Sequence, residues 1–258
     1  MSALVTSAGD LRRLVVRDLR RELRVLDGLI VNTALPVIIM LLFVYVFGGA
    51  ITTGSSGLSY IDFVVPAVLL MSGGYGAALS AVNISEDLTG GMIDRFRTLP
   101  ISGWVVPAGH VVASVVRNVA SSAIALLAAI VLGFRPEATL TGWALVLALV
   151  AGYVLAMSAL AVVWGLLVKS TQAAGAFSFA VLFLPYLSDG IVPAETMPGV
   201  LRDFAYNQPA TPIIETLRAL LLDRPVGSSG AVAAAWLIGV VVISVPVAAL
   251  LFRRRTAA

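Results

Sequence analysis

An all-helical, polytopic membrane fold is what this sequence predicts, and three observations predict it. Long apolar runs recur with no charge inside them: Leu29–Ile51 is 23 residues and Phe63–Ile84 is 22 residues, both without Asp, Glu, Lys or Arg. About 20 residues at 1.5 Å rise span the hydrocarbon core of a bilayer, and backbone polar groups in lipid must be satisfied internally, so such runs are helical. Second, 59% of the chain is hydrophobic and 12% charged, with mean hydropathy +1.00, where a soluble domain carries about 25% charge. Third, the basic residues fall mainly on alternate connections, as the positive-inside rule requires.

Taken in order, residues 1–28 form the first unit. Leu11, Val15, Leu19, Leu23 and Leu26 share one face of a helix over 11–26, with Leu14 beside them and arginines and acids opposite. That pattern suits an amphipathic helix lying in the membrane interface, either as a plain surface anchor or as an elbow that touches a cytoplasmic partner. These 28 residues hold six arginines and four acids but no apolar signal core, so the run that follows is expected to remain as an anchor. Residues 29–258 form the second unit, with spans at about 29–51, 63–84, 111–134, 143–168, 172–192 and 231–252.

Charge orients them. Arg12, Arg13, Arg17, Arg20, Arg21, Arg24, Arg95, Arg97, Arg117, Lys169, Arg253, Arg254 and Arg255 fall on one side, against Arg135, Arg202, Arg218 and Arg224 on the other. Both termini are therefore expected in the cytoplasm, and the 193–228 segment outside it. The pI of 9.6 invites a nucleic-acid reading, but a net charge of +3 with this hydropathy fits charged membrane flanks, so no nucleic-acid partner is expected.

The most distinctive soluble stretch is Ser85–Trp104. Thr89-Gly90-Gly91 can turn sharply, Met92–Leu99 can form a short helix, and Pro100 ends it. Glu86, Asp87, Asp94, Arg95 and Arg97 alternate with Met92, Ile93, Phe96 and Leu99. Composition alone suits a solvated loop, and the apolar residues suit a docking surface.

These residues carry a resemblance. Glu86-Asp87, Gly90-Gly91 and Asp94-Arg95-Phe96-Arg97-Thr98-Leu99-Pro100-Ile101-Ser102 resemble the type-2 ABC exporter permeases, especially the bacterial daunorubicin/doxorubicin-resistance class. So do Pro193, Met197-Pro198, Asn207-Gln208-Pro209 with Thr211, and Arg218-Ala219-Leu220. The resemblance extends over the whole chain in its order of elbow helix, six spans and long loop before the last span. It implies a coupling helix at about 86–100 seated on an ATP-binding subunit, with Glu86, Asp87, Asp94, Arg95, Phe96 and Arg97 as contact residues. It implies two copies of that subunit, a second permease copy or paralogue, and residence in the bacterial inner membrane. It also implies that closure of the ATP-binding subunits tilts the spans, a switch that needs two states with different partner contacts.

The energy source is bounded by absences. A phosphate-binding loop needs G-x-x-x-x-G-K-[ST], and the only lysine, Lys169, has Val168 where glycine is required. This chain is therefore expected to be no enzyme and to hold no cofactor, with ATP and magnesium bound by the separate subunit. Ion coupling favours carboxylates inside spans; Asp62 sits at the outer end of the second span, and the other acids are assigned to connections or termini. Arg117, two turns inside the third span, is expected to snorkel to the headgroups or to pair with Asp94 or Glu86. His110, the only histidine, is expected at the interface. With no cysteine and one histidine, neither a disulfide nor a metal site is expected.

Ser72, Gly76 and Ser80, and Gly73, Ala77 and Ala81, recur every four residues in the second span, a spacing that lets helices approach closely. In related exporters the second and fifth spans line the central dimer interface, which makes Tyr75, Phe179 and Phe183 the candidates for a substrate pathway. In 193–228, Ile213, Ile214, Leu217, Leu220 and Leu221 form a helical apolar face. The resemblance implies a helical pair re-entering the outer leaflet, and Asn207, Pro209 and Thr211 are the candidates for an extracytoplasmic gate. The leading expectation is the permease subunit of an ATP-driven exporter of a hydrophobic or amphiphilic compound, an antibiotic-like drug or a lipid. The alternatives are an ABC exporter of a polysaccharide, an ion-coupled secondary transporter, and a membrane enzyme or scaffold. No inverted repeat favours the secondary transporter, and no catalytic cluster favours an enzyme.

Overall fold

The computed structural model describes residues 9, 14–17, 26–49, 51, 53, 57–90 and 105–257; the side chains of 26–33 and 256–257 lie outside the description. Among the described residues every regular element is helical and no strand occurs. The helices are α1 (Leu26–Leu41), α2 (Tyr60–Thr89), α3 (Val105–Val131), α4 (Leu140–Leu167), α5 (Thr171–Tyr186), α6 (Gly199–Asn207), α7 (Ala210–Leu221) and α8 (Ser229–Ala257). The stretch Leu42–Phe47 continues α1 as a π-helix, and Ala194–Thr196 is a 3₁₀ turn.

Among the described residues, four helices are long and apolar enough to cross a membrane: Tyr60–Thr89, Val105–Val131, Leu140–Leu167 and Ser229–Arg255. The first expected span is carried by α1 and its π-helical extension, which run without a break over 26–47; where its side chains are described, its apolar stretch is Ala34–Phe47. The fifth, expected over 172–192, is a helix of 16 residues, about 24 Å long at 1.5 Å per residue. It stops because Ser188 turns back on it: its N–H and Oγ both bond to Pro185 O. Asp189 therefore lies in a turn beyond α5 rather than inside a span.

Side-chain caps set several helix ends. Ser59 Oγ accepts from Asp62 N at 3.4 Å and opens α2 three residues before the expected start. Thr139 Oγ1 accepts from Gly142 N at 3.1 Å to open α4, and Ser170 Oγ accepts from Ala173 N at 3.2 Å to open α5; each satisfies an otherwise orphaned donor. At its far end α2 runs on to Thr89, where Gly90 N donates to Glu86 O at 2.8 Å.

The core is built around α2, which packs against α1, α3, α4, α5 and α7. Its glycines, and those facing it, permit this. A Cβ on Gly74 would lie 2.5 Å from Tyr153 Oη, and one on Gly165 of α4 would lie 2.4 Å from Ala81 O of α2. The small-residue stripe is therefore a packing surface. The bundle has two ends: a head, with the start of α2 and the helices α6 and α7, and a base, with the end of α2 and the starts of α3 and α5. At the base, Leu14, Ile84, Val105, Val106, Leu166 and Phe252 form a second apolar cluster, and Arg255 Nη2 reaches Leu167 O at 3.2 Å. At the head, Glu137 N donates to Leu221 O at 2.9 Å and ties the α3–α4 connection to α7.

Candidate functional site

Three groupings of polar side chains stand out, and the first is at the base. Asp94, Arg95, Phe96 and Arg97 lie outside the described residues, so what the structure describes is the root of their segment. Glu86 is exposed on the last turns of α2, whereas Asp87 beside it is 2% exposed. The Asp87 Oδ2 atom lies 3.0 Å from His110 Nε2 of α3 and 3.5 Å from Arg17 Nη2 of the N-terminal segment. Leu14, three residues before Arg17, is buried with its Cβ 3.2 Å from where a Cβ on Gly109 would be. Asp87 thus joins three parts of the chain where the 91–104 segment departs. His110 is buried rather than interfacial, because α3 begins at Val105, six residues before the expected start, and turns His110 toward α2.

The second grouping is inside the bundle. Arg117 stands 12 residues beyond Val105, about 18 Å along the helix axis and therefore near the middle of α3. It does not snorkel: the residue is 8% exposed, and Nη2 donates to Gly76 O of α2 at 3.1 Å. Ser158 Oγ of α4 donates to Ser114 Oγ at 2.8 Å, and Asn118 Nδ2 donates to Ser114 Oγ at 3.0 Å. A polar seam therefore runs between α2, α3 and α4, and it includes buried hydroxyls of Ser72, Ser80 and Ser122 that have no hydrogen-bond partner among the described residues.

The third grouping locks the head. Arg218 of α7 donates through Nη2 to Phe63 O at 3.1 Å and to Asp189 O at 2.9 Å. Its Nη1 lies 3.6 Å from Asp189 Oδ2, and its guanidinium sits 4.1 Å over the Phe63 ring. Burial pulls the Arg218 guanidinium below its ordinary pKa, and the charges of Asp189 and Glu215 oppose that. The second Asp189 oxygen accepts from Ala194 N at 2.7 Å. Thr211, 2% exposed, accepts from Asp189 N at 3.3 Å and from Gln208 Nε2 at 3.2 Å, and donates to Ala205 O. Gln208 Oε1 accepts from Ala210 N at 2.9 Å.

The three candidate gate residues thus differ in setting. Thr211 is a buried junction of α6, α7 and the turn after α5. Pro209 is half-buried at the start of α7. Asn207 is exposed and donates only locally, to Asp203 O at 2.8 Å. Sequence reasoning passed over Gln208, Asp189 and His110 as site residues. Their one signal was a polar side chain between apolar runs; the charged partners of Asp189 and His110 lie more than 20 residues away in sequence, whereas Gln208 bonds to Thr211 and Ala210 close by. Of the candidate pathway residues, Phe179 and Phe183 are 66% and 56% exposed on α5, while Tyr75 is half-buried on α2. Phe183 and Tyr186 have ring centroids 6.2 Å apart, and Tyr186 meets Phe43 of the first apolar segment in a tilted contact at 6.0 Å.

Membrane-length apolar helices around a polar seam, closed at one end by a charged lock, define a multi-pass membrane protein. The chain belongs to the ABC-2 type transporter family, whose model matches residues 10–222. It is 27% identical over 190 residues to the daunorubicin resistance ABC transporter permease protein DrrB1 of Streptomyces coeruleorubidus, a match covering 72% of this chain and 66% of that protein. It is 24% identical over 239 residues to a protein described as the probable doxorubicin resistance ABC transporter permease DrrC of Mycobacterium tuberculosis, covering 92% of this chain and 84% of that one. The chain thus spans just under two thirds of the first relative's length and more of the second's.

Proposed function

We propose that this chain is the membrane subunit of an ATP-driven exporter that moves a hydrophobic or amphiphilic compound, drug-like or lipid, out of the cytoplasm or the inner leaflet. The observation that carries the reading is the match to the ABC-2 type transporter family over residues 10–222. The drug-resistance permeases among its relatives support the substrate class. In this reading two copies of a separate subunit bind and hydrolyse ATP with magnesium, the membrane part pairs with a second permease copy or a paralogue, and the chain sits in the bacterial inner membrane with both termini cytoplasmic.

The mechanism that fits is mechanical. The coupling segment around Asp94, Arg95, Phe96 and Arg97 leaves α2 just after Asp87 and returns at Val105. Because Asp87 joins α2 to His110 and Arg17, a displacement of that segment acts on the roots of α2, α3 and the N-terminal helix together. At the head, the Arg218 junction holds α7 against α2 and the Thr211 junction holds it against α6 and the turn after α5; both would have to rearrange as a gate. The test is reconstitution of the chain with its ATP-binding subunit in proteoliposomes, following ATP-dependent accumulation of doxorubicin or of a fluorescent phospholipid analogue. Accumulation that needs ATP and the second subunit supports the reading. Accumulation without that subunit, driven by an imposed proton gradient, would overturn it.

A further inference from the structure

A cavity of about 260 Å³ opens between α4, α5, α7 and α8; Pro209 and Ala210 of the head are among its lining, and Arg117, Arg218, Tyr75, Phe179 and Phe183 are not. Tyr153 and Met157 of α4 form its wall, Ile213 of α7 its roof, and Ala180 and Val181 of α5 and Trp236 of α8 stand at its sides. Tyr153 and Met157 are buried, whereas Ala180 and Trp236 are exposed and mark its rim. Tyr153 is the fourteenth residue of α4, a helix of 28 residues. The wall thus lies about 20 Å along a helix about 42 Å long, at the depth of the hydrocarbon core.

We infer that this cavity is a binding site for one hydrocarbon chain, entered sideways from the bilayer between α5 and α8. The lining excludes water, which needs two to four polar partners. Among the described lining residues the only side-chain heteroatoms are those of Tyr153, Met157 and Trp236, and the Tyr153 hydroxyl packs against Gly74 with no hydrogen-bond partner among the described residues. The volume lies below the roughly 300 to 1,000 Å³ typical of sites for drug-sized ligands. It exceeds the roughly 150 Å³ that accepts a benzene ring. An empty site would forfeit dispersion contacts along its walls, and at this depth an acyl chain is what stands ready to restore them. The hydrocarbon chain has two sources, a bilayer phospholipid and a single-chain amphiphile on its way to export, and the chemistry recognised is the same. The inference rests on the chain's spanning a membrane and not on its coupling to ATP.

The test uses the purified chain in nanodiscs without an ATP-binding subunit, so its failure is separable from failure of the transport reading. One arm contains a phosphatidylglycerol with a diazirine in its acyl tail; the other adds a diazirine-bearing single-chain alkylamine to unlabelled nanodiscs. After irradiation, adducts are mapped by mass spectrometry. The expected result is labelling of buried Met157 and Val181 in at least one arm, the labelled arm naming the source. In Ala180→Phe that labelling falls about tenfold, the change that ~1.4 kcal/mol of lost affinity gives, while labelling of exposed Ile243 and Val245 is unchanged. Ala180→Leu, a smaller plug at the same rim, carries the comparison if the phenylalanine variant does not fold. Adducts confined to Ile243 and Val245 in both arms, or Met157 labelling that a folded plugged variant leaves untouched, would overturn the site.

Discussion

Replacing Arg218 by alanine should unfasten the head of the bundle. The side chain is 12% exposed and its partner Asp189 19%, so neither is screened as a surface pair would be. Arginine supplies bonds to Phe63 O and Asp189 O, and hydrogen bonds from charged groups are worth about 1.5–3 kcal/mol each. Its stacking on Phe63 adds about 0.5–2 kcal/mol. The contributions overlap, and the larger effect is that a half-buried Asp189 carboxylate loses its cation, so the expected loss is about 3–5 kcal/mol, the range for breaking a buried pair from one side. At roughly 2–4 °C per kcal/mol for a chain of this size, the unfolding midpoint should fall by about 6–20 °C. Arg218→Lys keeps the charge without the planar fork and should lie between wild type and alanine. The assay is thermal unfolding in nanodiscs followed by circular dichroism, with an Arg218/Asp189 double-mutant cycle expected to show about 1–3 kcal/mol of coupling. A midpoint for Arg218→Ala within about 0.5 kcal/mol of wild type, the value of a surface change, would refute the reasoning.

Three further outcomes follow from the geometry. Gly165→Ala places a methyl group 2.4 Å from Ala81 O, a backbone atom that cannot swing away. It should destabilise by about 1–3 kcal/mol in the same unfolding assay, whereas Gly239→Ala, with nothing within 4 Å, should be neutral or better. Thr211→Val strands the donors of Asp189 and Gln208 and should cost about 1–3 kcal/mol, while Asn207→Ala should be near neutral in stability; if export survives both replacements in folded protein, neither residue is part of a gate. Asp87→Ala removes the carboxylate shared by His110 and Arg17 and should weaken retention of an ATP-binding subunit without abolishing membrane insertion, as read by co-purification against the insertion yield.

The spans that sequence predicted best are those where hydrophobicity alone decides. α2, α3, α4 and α8 are long and apolar, and their cores overlap the expected windows. Their ends moved by a few residues, at α2 and α4 because the caps Ser59 and Thr139 act through single hydrogen bonds. α5 was overextended for a different reason. Val192 and Ile191 keep the hydropathy high, but Ser188 folds back on Pro185 and Asp189 is drawn out of the helix by Arg218, a partner 29 residues away. His110 is expected at the interface, and Arg117 either snorkelling or paired with Asp94 or Glu86, because a lone polar group beside lipid escapes to water or finds a partner. Both are held inside by groups on α2, a neighbour that composition does not name. The cavity was not legible at all, since Tyr153, Val181, Ile213 and Trp236 meet only in three dimensions. The proposed coupling residues Asp94, Arg95, Phe96 and Arg97 rest on the family resemblance and lie outside the described residues, with Asp87 near the point where their segment begins.

The most direct test of the central claim is co-purification of the tagged chain with its ATP-binding subunit from nanodiscs, comparing wild type with Asp94→Ala/Arg95→Ala. Retention by wild type and loss by the folded double variant is the predicted result. Equal retention by both would contradict the assignment of the 91–104 segment as the coupling contact, and no ATP-binding subunit with the wild type would contradict the exporter reading itself.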